Sequence, residues 1–278
     1  MCRLAAFPPG FARDDAIEIL KHFENNNTDG TGTAYVENKR FVVEKYPKSL
    51  SKILSKRRLL NHMPYDGWTI AHLRAANRGD VKAVNTHPFV AGRWCVCHNG
   101  TFDEYKVVKL ALGNKVKFEG ETDSEAAANL IMNAGPKGFA ETVDMAGVFL
   151  ALNIRGDLWA IKTSGDLEIQ ALKGDKVLLA SRFSYTEFPN SDQAQIGWYH
   201  FDKEGKYIKH RKVRESGITY HRPTMACGPC AGENWQNRVT FGTSSTNIRS
   251  GNVRHVTQHS GYDPDGRSSP WCYGHSGD

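Results

Sequence analysis

Apolar and polar positions follow two different periods along most of this chain, and the changes of period mark its elements. In DDAIEILKHF (14–23), Ile17, Leu20 and Phe23 share one helical face, which predicts an amphipathic helix. GTAYVENKRFVVEKY (32–46) reads as two β-rich runs around a turn at Asn38-Lys39. SLSKILSKRRLL (49–60) predicts a basic amphipathic helix; its Lys/Arg cluster is read first as a solvated face and second as a contact for an anionic partner. GWTIAHLR (67–74) and GRWCVCHNG (92–100) read as strands ending in polar residues. Helices are predicted at 102–112, 123–133 and 137–144. The strand candidates VFLALNIRG, DLWAIKT, KVLLAS, IGWYHFD and KYIKHRKV follow, and the Gly/Asp turns between them suggest an antiparallel meander. Beyond about residue 216 the chain is rich in Gly, Ser, Asn and His and keeps no apolar period. The expected organisation is therefore one domain over 1–215 and a polar tail over 216–278, disordered or used for docking a partner.

Composition narrows the picture only slightly. The chain has 278 residues, 40% hydrophobic and 24% charged, which is ordinary for a globular protein. A net charge of +6 gives weak attraction to polyanions and does not by itself call for nucleic-acid binding. No run approaches the roughly 18 apolar residues of a membrane span. Pro8, Pro9, Asp14 and Asp15 fall where a signal peptide needs its apolar core. The expected compartment is the cytoplasm, with no membrane partner and the six cysteines mostly reduced.

Five stretches carry candidate chemistry: MCRL at the start, NTDGTGTAY (27–35), AHLRAANRGDVKAVNTHPF (71–89), CHNGTF (97–102) and GETDSE (120–125). Singly, each has a plain structural reading. Arg74 can be an ion-pair partner, Asn99-Gly100 a turn, Asp123 a helix cap and His87-Pro88 a loop. Together, an HxR, a downstream HPF, an HNG and a TDSE behind Cys2 resemble the class II glutamine amidotransferases of the N-terminal-nucleophile hydrolase superfamily. The resemblance covers most of residues 2–200, and MCRL looks closest to the small stand-alone branch.

That resemblance implies an α+β fold, the four-layer αββα sandwich with two antiparallel sheets between helices. It implies Asn99 and Gly100 as an oxyanion hole, Arg74 on the α-carboxylate of glutamine and Asp123 on its α-ammonium. Thr122 and Gly100 would add backbone contacts, while Asn77 and His87 would line the glutamine loop. Many members carry threonine where Asn77 stands, and a scaffolding role for His87 is equally open. The DGTG turn (29–32) would lie beside the nucleophile, its glycines relieving crowding.

The residues also explain themselves chemically. With Met1 removed, Cys2 carries a thiol and a free α-amine of pKa roughly 7.7–8.0, so the nucleophile brings its own base. Cys97 is read as a small buried hydrophobe rather than a second functional thiol. The expected reaction is hydrolysis of L-glutamine to glutamate and ammonia through a γ-glutamyl thioester on Cys2. It calls for no cofactor and no metal. The roughly sixty residues after 216 are too few and too polar for an acceptor domain, so the ammonia acceptor is expected on a separate chain. The alternatives are a hydrolase of larger γ-glutamyl compounds and a catalytically silent glutamine sensor. In the tail, Cys227-x2-Cys230 and Cys272-x2-His275, with His255 and His259 between them, have zinc-ligand types. The intervening gap of about forty residues favours incidental thiols over a zinc module. A docking segment anchored by Trp235 and Trp271 is the third reading.

Overall fold

The computed structural model describes residues 2–55, 60, 63, 66–143, 146–182 and 191–213. In chain order these form β1 (Arg3–Phe7), α1 (Arg13–Phe23), β2 (Gly30–Glu37), β3 (Arg40–Tyr46), α2 (Leu50–Leu54), β4 (Thr69–Arg74), β5 (Phe89–Ala91) and β6 (Trp94–Thr101). There follow α3 (Tyr105–Leu112), α4 (Asp123–Thr142), β7 (Ala146–Asn153), β8 (Leu158–Lys162), β9 (Glu168–Ala171), β10 (Val177–Ala180), β11 (Asp192–Gln193), β12 (Gly197–Phe201) and β13 (Tyr207–Arg211). One sheet has the order β11-β9-β10-β1-β4-β2-β3 and the other β13-β12-β8-β7-β6-β5.

Strand alternation sorts the apolar side chains into three layers. On β1, Leu4 and Ala6 face the second sheet, while Ala5 and Phe7 pack against α1 and α2. On β6, Cys95 and Cys97 enter the layer between the sheets, while Trp94 and Val96 pack beneath α4 with Ala127 and Ile131. The result is the four-layer αββα sandwich, with β1 and β4 near the middle of one sheet and β6 and β7 in the other. The helix α1 illustrates what holds the outer layers. Ala12 caps it without a side-chain bond. Its buried Ile17, Leu20 and Phe23 instead contribute about 1.5–3 kcal/mol each relative to exposure.

Local chemistry explains most boundaries. Asn38 and Lys39 both take positive φ, 50° and 56°, as a two-residue hairpin turn requires. In α4 the two predicted helices meet at a break: Gly135 has φ 70°, ψ 162°, and Pro136 restarts the helix where no N–H is needed. Three expectations need correcting. The basic helix over 49–60 is helical only to Leu54, and residues 56–59 lie outside the described residues. The late strands do not form one meander, because β7–β8 and β12–β13 join the six-stranded sheet while β9–β10 joins the other. No strand is predicted at β1, β5, β9 or β11: RLAAF is buried almost throughout and shows no alternation, and the other three span four residues or fewer. The tail from 214, with Cys227, Cys230, Trp235, His255, His259, Trp271, Cys272 and His275, lies outside the described residues. Among the described residues, no helix is long and apolar enough to cross a membrane and no cluster of three His, Cys, Asp or Glu could hold a metal.

Candidate active site

Strand register brings the motif residues together. β1 and β4 run antiparallel with Arg3 opposite Leu73, so Cys2 falls opposite Arg74. On the other side of β4, Gly30 pairs with Arg74. Cys2, Arg74 and Gly30 thus lie abreast at one end of the seven-stranded sheet. By alternation Cys2 shares the face of Leu4, Arg74 that of Ile70 and Asn99 that of Cys97, all of it the face between the sheets. His72 Nε2 lies 3.1 Å from the His98 carbonyl oxygen and ties β4 to β6 at this end.

The Cys2 thiol is half-buried and donates to the Ala75 carbonyl at 3.5 Å. Burial pushes its pKa up, with the Arg74 charge pulling the other way and the Asp123 charge adding to the rise. A thiol in this setting is not a resting thiolate and needs a base at the moment of attack. Cys95 and Cys97 are fully buried, and burial raises Cys95 to about 12 and Cys97 well above the usual thiol range.

Arg74, buried at the end of β4, holds the following loop. Nη1 donates to the Asp80 carbonyl at 2.9 Å, and Nη2 donates to those of Arg78 at 2.6 Å and Gly79 at 2.9 Å. Two of its five N–H groups are left for other acceptors. The loop is tied elsewhere too. Ala76 N donates to Asp29 Oδ2 at 2.8 Å, and Asn85 Nδ2 donates to the Asp80 carbonyl at 3.1 Å. Asp80 N donates to Glu121 Oε2 at 3.2 Å, and Arg78 pairs with Asp103 while lying 5.4 Å from the Tyr105 ring centre. Asn77 sits exposed on this loop.

Asn99 is only 6% exposed, and its side-chain amide has no hydrogen-bond partner among the described residues. Gly100 pairs with Gly147 on β7, and a Cβ on Gly100 would lie 2.1 Å from the Ala146 carbonyl oxygen. Glycine is therefore required there by strand approach as well as by any access to its N–H. Gly32 is constrained likewise: its Cβ would lie 1.9 Å from the His87 carbonyl oxygen. Asp123 opens α4 behind its cap residue Thr122, whose buried hydroxyl has no partner among the described residues. Asp123 Oδ2 accepts from Phe102 N at 2.8 Å and Oδ1 from Ser124 N at 3.0 Å. Its charge is felt at Cys2, Arg74 and Arg78.

His87 lies in the packing layer. Its ring stacks on His72 at 3.8 Å and meets Phe89 edge-on at 4.8 Å, with no hydrogen-bond partner for either nitrogen among the described residues. Sequence reasoning passed over His72, His98, Asn85 and Glu121, although the first two stand inside the HxR and HNG motifs. His98 Nδ1 lies 3.1 Å from Ser124 Oγ, linking β6 to α4.

Burial lowers all three imidazoles, His72 to about 3, and keeps them neutral. In the unfolded chain they titrate near 6.5. The unfolded state therefore binds more protons between those values, and stability falls as pH drops below about 6.5 by up to about 1.4 kcal/mol per histidine per pH unit. Urea midpoints measured from pH 7 to pH 5 should decline steeply. A flat profile would mean that these rings take up protons in the folded state.

The family model for class-II glutamine amidotransferases matches residues 18–178, well over half of the chain. The chain belongs to this family of enzymes. Arg74, Asn77, His87, Asn99, Gly100, Thr122 and Asp123 fall inside the match, and Cys2 precedes it. A glutamine–fructose-6-phosphate aminotransferase (isomerizing) of Caulobacter vibrioides is 29% identical over 273 residues, covering 91% of this chain and 41% of that protein. The Clostridium perfringens protein of the same name is 32% identical over 124 residues, 43% of this chain and 20% of that one. The chain thus spans less than half the length of these curated relatives. Among solved structures, glutamine phosphoribosylpyrophosphate amidotransferase of B. subtilis superposes with a TM-score of 0.59 at 18% identity, over 76% of this chain and 49% of that one. A class-II glutamine aminotransferase domain protein of Silicibacter pomeroyi gives 0.53 at 18% identity, over 76% of this chain and 99% of that one. The shared fold is the N-terminal-nucleophile sandwich.

Proposed function

We propose that the chain hydrolyses the side-chain amide of L-glutamine through a γ-glutamyl thioester on Cys2, and that the ammonia passes to an acceptor enzyme on a separate chain. The observation that carries this reading is the convergence of Cys2, Arg74 and Asn99 on one end of the inter-sheet layer, within electrostatic reach of Asp123.

The steps follow from the groups present. Removal of Met1 frees the Cys2 amine, which takes the thiol proton as sulfur attacks the amide carbon. The carbonyl electrons move onto oxygen, where the unpaired Asn99 amide and the Gly100 N–H donate. Collapse of the tetrahedral centre breaks the C–N bond, and the ammonium form of the Cys2 terminus returns the proton to the departing ammonia. A water molecule, deprotonated by the same amine, then attacks the thioester, and the sulfur leaves with the proton. The remaining Arg74 N–H groups take the α-carboxylate and Asp123 the α-ammonium. Thr122 would add a backbone contact and Asn77 would approach from its exposed loop, while His87, buried and stacked on His72, would support the site.

A glutaminase assay on the purified full chain tests the reading. Asn99→Ala should lower kcat about 100-fold with little change in KM, because its donor matters most once the oxyanion forms. A rise in KM alone would assign Asn99 to ground-state binding.

The catalytic domain is proposed to end near residue 215, with 216–278 reserved for partner docking. In support, β13 ends at Arg211, and Val213 packs into the layer beneath α4. A chain truncated after residue 216 should stay soluble and keep basal turnover. Precipitation or lost turnover would make the tail part of the domain.

A further inference from the structure

The sheets also part at the end remote from Cys2, where a half-open cleft of about 850 Å³ lies between them. β1 leads from Cys2 to Pro9 on its wall, and β4 leads from Trp68 on its wall back to Arg74. The two sites are therefore separated by about the length of a six-residue strand, on the order of 20 Å.

Turns from both sheets build the mouth, and they bring charge of one sign. Lys39, Arg155, Lys176, Lys203 and Lys206 line it against Asp66 and Glu204. Lys203 and Glu204 already pair with each other at 3.6 Å. Lys176 and Lys206 stand directly opposite one another in an antiparallel bridge that joins the two sheets. Lys176 Nζ is held by the Pro9 carbonyl at 2.8 Å, which fixes its position.

The interior offers a different surface. Val36 and Ile154 line it as half-buried apolar side chains, while Trp68, only 1% exposed and committed through its indole N–H to the Asp202 carbonyl at 2.7 Å, closes the floor beneath them. The walls are preformed. Val177 N donates to the Gly205 carbonyl at 3.3 Å, and a Cβ on Gly205 would press on Pro8 and Pro9 at 3.0 Å. Glutamine hydrolysis uses none of these groups, and zwitterionic glutamine has no need of so many cations.

We propose that this cavity binds a small organic polyanion with a flat apolar group, of the size and charge of a nucleoside diphosphate. Its volume lies within the roughly 300–1,000 Å³ of small-molecule sites. The apolar interior takes the ring, and the ammonium groups of Lys176 and Lys206 take the anionic end.

Calorimetric titration of the full chain with ADP, pyrophosphate and adenosine tests this. ADP should bind saturably at one site per chain, pyrophosphate more weakly, and adenosine without saturation. Arg155→Ala/Lys206→Ala removes two exposed side chains and should weaken ADP at least about tenfold, leaving the melting temperature and basal glutamine turnover unchanged. The proposal is overturned if neither ADP nor pyrophosphate saturates at millimolar concentration, or if the double variant binds ADP undiminished. Several non-saturating ADP equivalents would equally overturn it, as the mark of a generally cationic surface. Pyrophosphate binding as tightly as ADP would remove the apolar half of the assignment.

Discussion

Cys2→Ala should reduce glutamine turnover by at least ~10⁴-fold while leaving the fold intact, because among the described residues no other group can replace the nucleophile. The structural cost is small: the thiol is half-buried and makes one long hydrogen bond, 3.5 Å to the Ala75 carbonyl. Cys95 and Cys97 cannot substitute, since both are sealed in the inter-sheet layer with pKa values raised by burial. A glutamine-like diazo-ketone should accordingly label Cys2 and spare Cys95 and Cys97. Intact mass should show the active chain without Met1, because only then does Cys2 carry a free terminal amine that can act as its base. Undiminished turnover in Cys2→Ala, or full activity in a preparation that keeps Met1, would remove this mechanism.

How much of this was legible in the chain depended on whether the controlling interaction was local. The face of α1, the β2–β3 turn and the break at Gly135-Pro136 are local, and the pattern marks each of them. Which sheet a hairpin joins is not local. β9–β10 and β12–β13 look alike in sequence, and only packing across the sandwich separates them. β1 escaped notice because both its faces are covered, which erases alternation. The same division holds at the site. Motif order picked out Cys2, Arg74, Asn99 and Asp123. It could not show that Arg74 spends three donors on its own loop, or that the rings of His72 and His87 stack. The remote basic cavity was least legible, since its cations come from turns scattered between residues 39 and 206 and no single stretch marks them.

Arg74→Ala should lower kcat/KM by about 10³-fold, because one side chain is asked to do two things. Binding a carboxylate through its two remaining N–H groups would contribute about 2–4 kcal/mol, which alone corresponds to roughly 30- to 1000-fold. The three bonds to the Arg78, Gly79 and Asp80 carbonyls hold the loop that carries Asn77 and borders Cys2 through Ala75. Losing them frees that loop, so the two effects compound. Arg74→Lys separates the roles. Lysine keeps the charge but cannot fork onto three carbonyls and a carboxylate together, so it should recover little of the activity. Limited proteolysis supplies a readout that carboxylate binding alone would not move. Both variants should be cut faster within 75–80 than the wild type in the absence of glutamine, and the added substrate should protect only the wild type. If Arg74→Lys had wild-type KM and kcat, a point charge would suffice and the loop-holding role would fall. If the Arg74→Ala loop resisted protease as the wild type does, the other ties from Asp29, Asn85 and Glu121 would be enough to hold it, and the loss in kcat/KM would shrink toward that of the carboxylate contact alone.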